Sequence, residues 1–534
     1  MANAANTALP AEFVERVAAR AEPEVTPKLI AAFVALAIGM FMAILDIQIV
    51  ASSLAEIQAG LSASQSEIAW VQTAYLVAEI VMIPLTGFLG RALSTRYLFA
   101  IAAGGFTLFS VLCASSSSIG EMVVWRAAQG FIGGAMIPVV FSAAFSVFPK
   151  NRQAMVAAMV GLIATLAPTI GPTIGGYLTN AFSWHWLFLI NVVPGIAVTV
   201  AVLALVDFDK PDFALLKRLD WIGLGTLAAF LGSLEYVLEE GAGNDWFADR
   251  TILLAAIVSV VAGVAFFWRT LTAAEPIVEL RAFADRNFAT GSLFSFVLGV
   301  GLYGLVFLFP VFLARVRGYD SLEIGNTMFV SGAFMMITAP IAGTLAQKVD
   351  PRWMMGVGLA LFALSCVELL PITKDWSFGE LFVAQAVRGV ALMTSMLPVS
   401  VLALGTLPPE RIKNASGLFN LTRNLGGAFG LAVITTILNK RWDLHIERLH
   451  ESVNWARAAA TEQVSALTQG FSATLGSLAD SQALATISSG VRREALVMAF
   501  SDVFLILAII FAATLLLIPL ARKPQPVATG GGGR

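Results

Sequence analysis

Apolar runs recur along the chain, separated by short junctions of Pro, Gly and charge. A window of about 19 residues picks out about fourteen candidate membrane helices. They fall near residues 31–52, 68–89, 97–115, 121–143, 155–177, 186–206, 219–238, 251–270, 288–313, 325–346, 353–371, 379–404, 414–438 and 497–521. One junction departs from the pattern: residues 439–496 are polar, helix-forming and rich in Ala, Glu, Arg and Ser. The pattern predicts an all-α integral membrane protein.

The fifth run holds a distinctive stretch from Gly161 to Gly176, with Pro168, Gly171, Pro172 and Gly175 inside it. Pro168 and Pro172 are four apart, so both rings sit on one helix face and each removes a backbone donor. Small residues at three- and four-residue spacing let another helix approach closely. Such a helix suits a sliding joint between two bundles, although Gly and Pro are also common in ordinary membrane helices.

Composition narrows the class. Of 534 residues, 58% are hydrophobic and 13% charged, and the mean hydropathy is +0.81. Soluble domains carry about 25% charged residues, so little mass lies outside the membrane. The net charge of -2 and the lack of a basic patch give no indication of a nucleic-acid partner. Cys113 and Cys366 lie in apolar runs and read as small hydrophobes, not a disulfide framework. Residues 1–29 are polar and of mixed charge, so the first run is expected to be an uncleaved signal-anchor. A short amphipathic surface helix is conceivable around Ala11–Ala21, and the Gly530–Arg534 tail resembles a cloning remnant without functional weight.

Lys and Arg set the expected orientation. Alternate short loops hold Arg91 and Arg96, Lys150 and Arg152, Lys210, Lys217 and Arg218, Arg281 and Arg286, Lys348 and Arg352, then Arg411 and Lys413. The opposite short loops hold fewer, so both termini are expected in the cytoplasm. Weak internal symmetry accompanies this. Gly87 to Arg91 after the second run pairs with Gly343 to Lys348 after the tenth, and Arg126 to Gly130 pairs with Arg388-Gly389. Matched halves around an extra helix pair read as a transporter with a site between halves. The expected divisions are a cytoplasmic segment 1–30, a six-helix bundle 31–206, and a linker with two extra helices 207–287. A second six-helix bundle 288–521 follows, with an outer loop 439–496 and a tail 522–534.

Ionisable residues inside spans are costly and are functional candidates by default. Asp46, Glu79 and Arg126 stand in the first, second and fourth runs; Arg388 and Arg423 stand in the twelfth and thirteenth. A carboxylate in low dielectric is a candidate proton carrier because burial penalises its charged form. Asp46 could instead snorkel to the interface, and Arg126 could simply bond backbone carbonyls. Glu235, Glu368 and Asp502 lie nearer span ends or in peripheral helices and read as interfacial. His445 and His450 are expected on a solvated helix of the long loop, and with His185 they lack metal-site spacing. No P-loop Gly-Lys-Ser/Thr pattern is present, which disfavours ATP as energy source, and no cofactor is expected. No nucleophile–base constellation stands out, so an enzyme is not expected.

Together these residues resemble the major facilitator superfamily, and within it the fourteen-span drug:proton antiporters of EmrB/QacA type. Gly161 to Gly176 resembles the antiporter motif of the fifth helix, Arg126-Ala-Ala-Gln129-Gly130 the motif of the fourth, and Leu45-Asp46 that of the first. The Trp184–Gly195 stretch resembles the family's approach to its sixth helix. Pro276 to Phe288 resembles the approach to the second bundle, and Ala415 to Gly427 the penultimate helix. Leu444 to Asn454 is similar to the outer loop of the EmrB branch. Three places depart. Arg91 and Ser94 stand where the cytoplasmic motif carries Asp and a second Gly, which leaves the usual inner charge latch without its acid. Gln48 and Ala51 replace Thr and Asn after Asp46, and Glu79 is an extra acid.

The resemblance implies a proton-coupled multidrug efflux pump of the bacterial inner membrane, working by alternating access on amphipathic hydrophobic compounds. Asp46 and Glu79 would carry the proton, with Arg126 tuning them. Gly161, Pro168, Gly171, Pro172, Gly175 and Gly176 would form the joint. Arg388, Arg423 and Asn424 would couple the C-terminal bundle. A periplasmic adaptor and an outer-membrane channel are the implied partners. Export of fatty acids, bile-like acids or an endogenous metabolite, and a proton-independent facilitator, stay open as alternatives.

Overall fold

The apolar runs fold as α-helices in a computed structural model that describes residues 25–273, 276–453 and 456–523. The Ala11–Ala21 segment and the Gly530–Arg534 tail lie outside the described residues. The helices are α1 (Pro27–Ser52), α2 (Trp70–Ala114), α3 (Ile119–Ser146), α4 (Lys150–Ala181), α5 (Trp186–Leu205), α6 (Trp221–Gly241) and α7 (Arg250–Thr272). They continue as α8 (Arg286–Phe312), α9 (Ser321–Leu345), α10 (Pro351–Val367), α11 (Phe378–Leu404), α12 (Pro409–Ser452), α13 (Ala458–Leu475) and α14 (Ala479–Leu515). Polar punctuation starts many of them. Thr26, Asp220, Asp249, Asp285 and Asp350 each accept from the first-turn amides of the helix that follows, and Asp320 with Glu323 forms a capping box.

Among the described residues, twelve helices are long and apolar enough to cross a bilayer. That differs from about fourteen for two reasons. α2 has 45 residues, about 68 Å at 1.5 Å per residue, twice a hydrocarbon core. It holds two of the expected runs, separated by a break at Ser94, where φ is 70°. α10, at 17 residues, is short for a crossing. The 439–496 segment is largely helical: α12 runs on to Ser452, α14 starts at Ala479, and α13 packs on α14.

Two bundles meet along two seams. α4 lies between α1 of its own half and α9 of the other, while α2 meets α12. α6 packs against both α2 and α12, and α7 leans on α6 with most of its surface turned outward. The duplication is visible in the backbone. Gly130 sits directly on the Tyr75 carbonyl and Gly389 directly on the Ser331 carbonyl, so each fourth-helix glycine seats its helix on a second-helix partner.

Candidate functional site

Asp46 comes from the last turns of α1 and Arg126 from the middle of α3, and both side chains are wholly buried. Arg126 Nη1 donates to Asp46 Oδ2 at 2.7 Å and to Gln129 Oε1 at 2.7 Å, while Nε donates to the Val71 carbonyl at 3.1 Å. The guanidinium lies 4.2 Å from the centroid of the Tyr75 ring. Asn191 Nδ2 donates to Asp46 Oδ1 at 2.7 Å. It stands at the interruption of α5 between Leu189 and Val192, where the freed turn aims its amide inward. Gln129 Nε2 donates to Ser110 Oγ at 2.8 Å and to Asp46 Oδ1 at 3.4 Å. Removing either charge would leave the other buried and unpaired, which costs about 3–5 kcal/mol. Snorkelling of Asp46 is therefore not what the geometry shows.

Tyr75, Ser110, Gln129 and Asn191 were given no role from sequence. Gln129 and Asn191 stood inside the quoted motifs, and a lone amide among apolar residues was the available signal. Cys113 is buried as expected, yet its Sγ lies 3.8 Å from Gln129 Oε1, at the edge of this network.

Glu79 does not join Asp46 and Arg126. It lines two adjoining cavities between the bundles, of ≈ 20 and ≈ 70 Å³. The smaller also takes Gln48, Pro168, Tyr303 and Arg423. The larger takes Glu235, Glu239, Tyr303 and Asn424. Arg423 donates to Asn420 Oδ1 at 2.6 Å and lies 5.0 Å from the Phe141 ring. Tyr303 Oη donates to Asn424 Oδ1 at 3.4 Å. Arg388 is elsewhere: it donates to Ser331 Oγ at 2.8 Å and lies 4.6 Å from the Phe309 ring. Among the described residues it has no carboxylate partner, so the two halves differ at this matched position.

The α4 motif divides into two faces. Gly171 sits directly on Gln48, and a Cβ at Gly175 would meet Ser52 Oγ at 2.6 Å, so these glycines hold α4 against α1. Pro168 reaches the smaller cavity, Pro172 and Gly176 are half-buried, and Gly161 faces Met396. Toward the other bundle the small residues lie on α9. Gly325 faces Thr173, Gly332 faces Leu166 and Thr169, and Gly343 faces Met155 and Ala158.

Two expectations, an interfacial Glu235 and a solvated His445, are corrected. Glu235 is only 5% exposed, because α6 is wedged into the α2–α12 seam and is not peripheral. His445 is 4% exposed and not solvated: its Nε2 lies 2.6 Å from Asp502 Oδ2, which also accepts from Arg441 Nε at 2.6 Å.

At the end rich in Lys and Arg, a clasp replaces the latch that Arg91 and Ser94 cannot make. Asp209 accepts from the Thr95 amide at 3.0 and 3.1 Å and pairs with Lys413 of the other half. Lys413 Nζ also donates to the Gly90 carbonyl at 3.0 Å, and Asn414 donates to Glu279 at 3.0 Å.

The sequence profile of the Major Facilitator Superfamily matches residues 36–431. The chain is 43% identical, over 91% of its length and 94% of the relative's, to the colistin resistance protein EmrB of Acinetobacter baumannii. It is 31% identical to the multidrug export protein EmrB of Escherichia coli K12, over 94% of the chain and 96% of that protein. It is 29% identical to the fatty acid resistance protein FarB of Neisseria gonorrhoeae, over 94% and 98%. Among solved structures, the proton:xylose symporter XylE superposes with a TM-score of 0.56 at 11% identity, covering 91% of this chain and 96% of that one, a likeness of fold alone.

Proposed function

Because the chain belongs to the Major Facilitator Superfamily, in its EmrB-type branch, we propose that it exports amphipathic hydrophobic compounds in exchange for protons by alternating access. The names of its multidrug-export relatives support the export of varied compounds. The carrying observation for proton coupling is the buried Asp46–Arg126 pair at 2.7 Å, shared with Asn191.

Three side-chain donors face Asp46: Arg126, Asn191 and, at longer range, Gln129. A proton arriving on Asp46 cancels its attraction to Arg126 and leaves that cation with the Val71 carbonyl, Gln129 and the Tyr75 face. The pair is therefore a two-state element whose preference follows protonation. Substrate occupying the cavities between the bundles favours proton release, and protons from outside reset the pump. The end rich in Lys and Arg is the cytoplasmic one, with both termini there, in a bacterial inner membrane.

Proteoliposomes with an imposed pH gradient and a panel of cationic, neutral and anionic amphiphiles test this. Asp46→Asn, which keeps the side chain's shape and an acceptor for Arg126, should abolish gradient-driven movement, and thermal unfolding of the same preparation separates lost coupling from lost fold. Full transport with unchanged pH dependence would remove Asp46 from the mechanism, and counterflow with no proton dependence would make the protein a facilitator. Export of fatty acids is the second reading, favoured by the likeness to FarB; the anionic arm of the panel decides it.

The α12–α13–α14 projection is the proposed dock for a periplasmic adaptor leading to an outer-membrane channel. A chain lacking Ala458–Leu475 should lose pull-down of a candidate adaptor; undiminished capture would reject the dock.

A further inference from the structure

The helix pair between the bundles brings acids to the cavity that the proton mechanism does not use. Glu235 and Glu239 stand four residues apart on α6, hence on one face. With Glu79 of α2 they line the ≈ 70 Å³ cavity, which has room for a compact charged group and not for a whole drug-like molecule. Glu235 is 5% exposed, and its Oε2 has no hydrogen-bond partner among the described residues. Glu240, one residue on, shows the contrast: its carboxylate accepts from Thr73 Oγ1 at 2.7 Å. No ion pair to Glu79, Glu235 or Glu239 occurs among the described residues. Arg423, the cation on the adjoining cavity, is turned to Asn420 and Phe141. Acids gathered without a counter-charge in an apolar wall are costly to ionise, and a bound cation lowers that cost. The rest of the wall includes Leu76, Ile80, Leu431 and the Tyr303 ring. That combination suits the compact charged head of a lipophilic cation, with the ring offering a cation–π face.

We infer that Glu235, with Glu79 and Glu239, forms a cation subsite through which α6 helps select lipophilic cations. This deepens the proposed export reading and rests on it for the subsite's biological use.

The probe is benzyltrimethylammonium, whose charge is permanent and sits on a compact head, measured by equilibrium binding to the purified full chain in neutral detergent. Glu235→Gln should weaken its Kd by about tenfold, and Glu239→Gln should weaken it less. Glu235→Asp should recover most of the affinity, because it keeps the charge. Failure of the unaltered chain to bind the probe would overturn the subsite. So would a Kd changed by less than about twofold, or a loss of affinity that Glu235→Asp does not recover, which marks a merely structural residue. If binding depends on the Glu235 charge while no compound of the amphiphile panel moves under a gradient, the export reading fails and the subsite stands.

Discussion

Asp46 is wholly buried, so each donor around it counts. A hydrogen bond to an ionised group contributes about 1.5–3 kcal/mol. Asn191→Ala removes the 2.7 Å donor from Asp46 and leaves the fold intact. Gradient-driven transport should therefore fall by at least about tenfold while equilibrium drug binding stays within a factor of two or so; transport assays and binding on the same preparation check the split. Asp46 and Arg126 were legible in the sequence because a charge in a twenty-residue apolar run has few harmless explanations. Their partners were not. Nothing in the order of residues says that the chain pauses at Asn191, or that the α6 face carrying Glu235 turns inward and not to lipid. Both depend on which helix packs beside which.

The α4 helix illustrates the same division for an element. Its kinked, small-faced character is written in Gly161 to Gly176, but the role of each glycine depends on the neighbour it meets. Gly171 and Gly175 fasten α4 to α1 inside one bundle, while Gly325, Gly332 and Gly343 of α9 smooth the contact with the other. Gly175→Leu should lower the melting temperature, since even its Cβ would crowd Ser52 Oγ and the Ile49 carbonyl at 2.6 and 2.9 Å. Gly332→Leu should preserve melting and drug binding but stall transport, by wedging against Leu166 and Thr169 on a surface that must slide. Thermal unfolding beside transport separates the two, and stalled transport with normal melting in Gly175→Leu would reverse the assignment. Helix existence was readable from hydropathy. The continuation of α12 to Ser452 was not, because beyond the membrane a polar helix has no hydropathy signal.

For the whole molecule, the two halves are duplicated in shape and unequal in chemistry. Gly130 and Gly389 make the same backbone contact, but only the Arg beside the first has an acid. The clasp between halves at the basic end is likewise built from unmatched residues, Asp209 and Lys413. Both are about one-fifth exposed, at 21% and 23%, so the pair contributes on the order of 0–1 kcal/mol, enough to tilt a balanced equilibrium several-fold. With Cys113 and Cys366 replaced, Thr86→Cys reports opening at this end, since Thr86 lines a crevice with Lys413. Lys413→Gln should raise its labelling rate by about fivefold at most; an unchanged rate would make the clasp incidental.

The position of α6 has one more consequence. A pair of bundles has two lateral openings through which a lipid-dissolved compound can reach the space between them. Here the inserted helix fills the opening between α2 and α12, and α7 shields it further from the bilayer. The α4–α9 side keeps its apolar surface outward, through Met159, Phe329 and Ile337. Lateral exchange between membrane and cavity is therefore expected on the α4–α9 side, since α6 walls off the other.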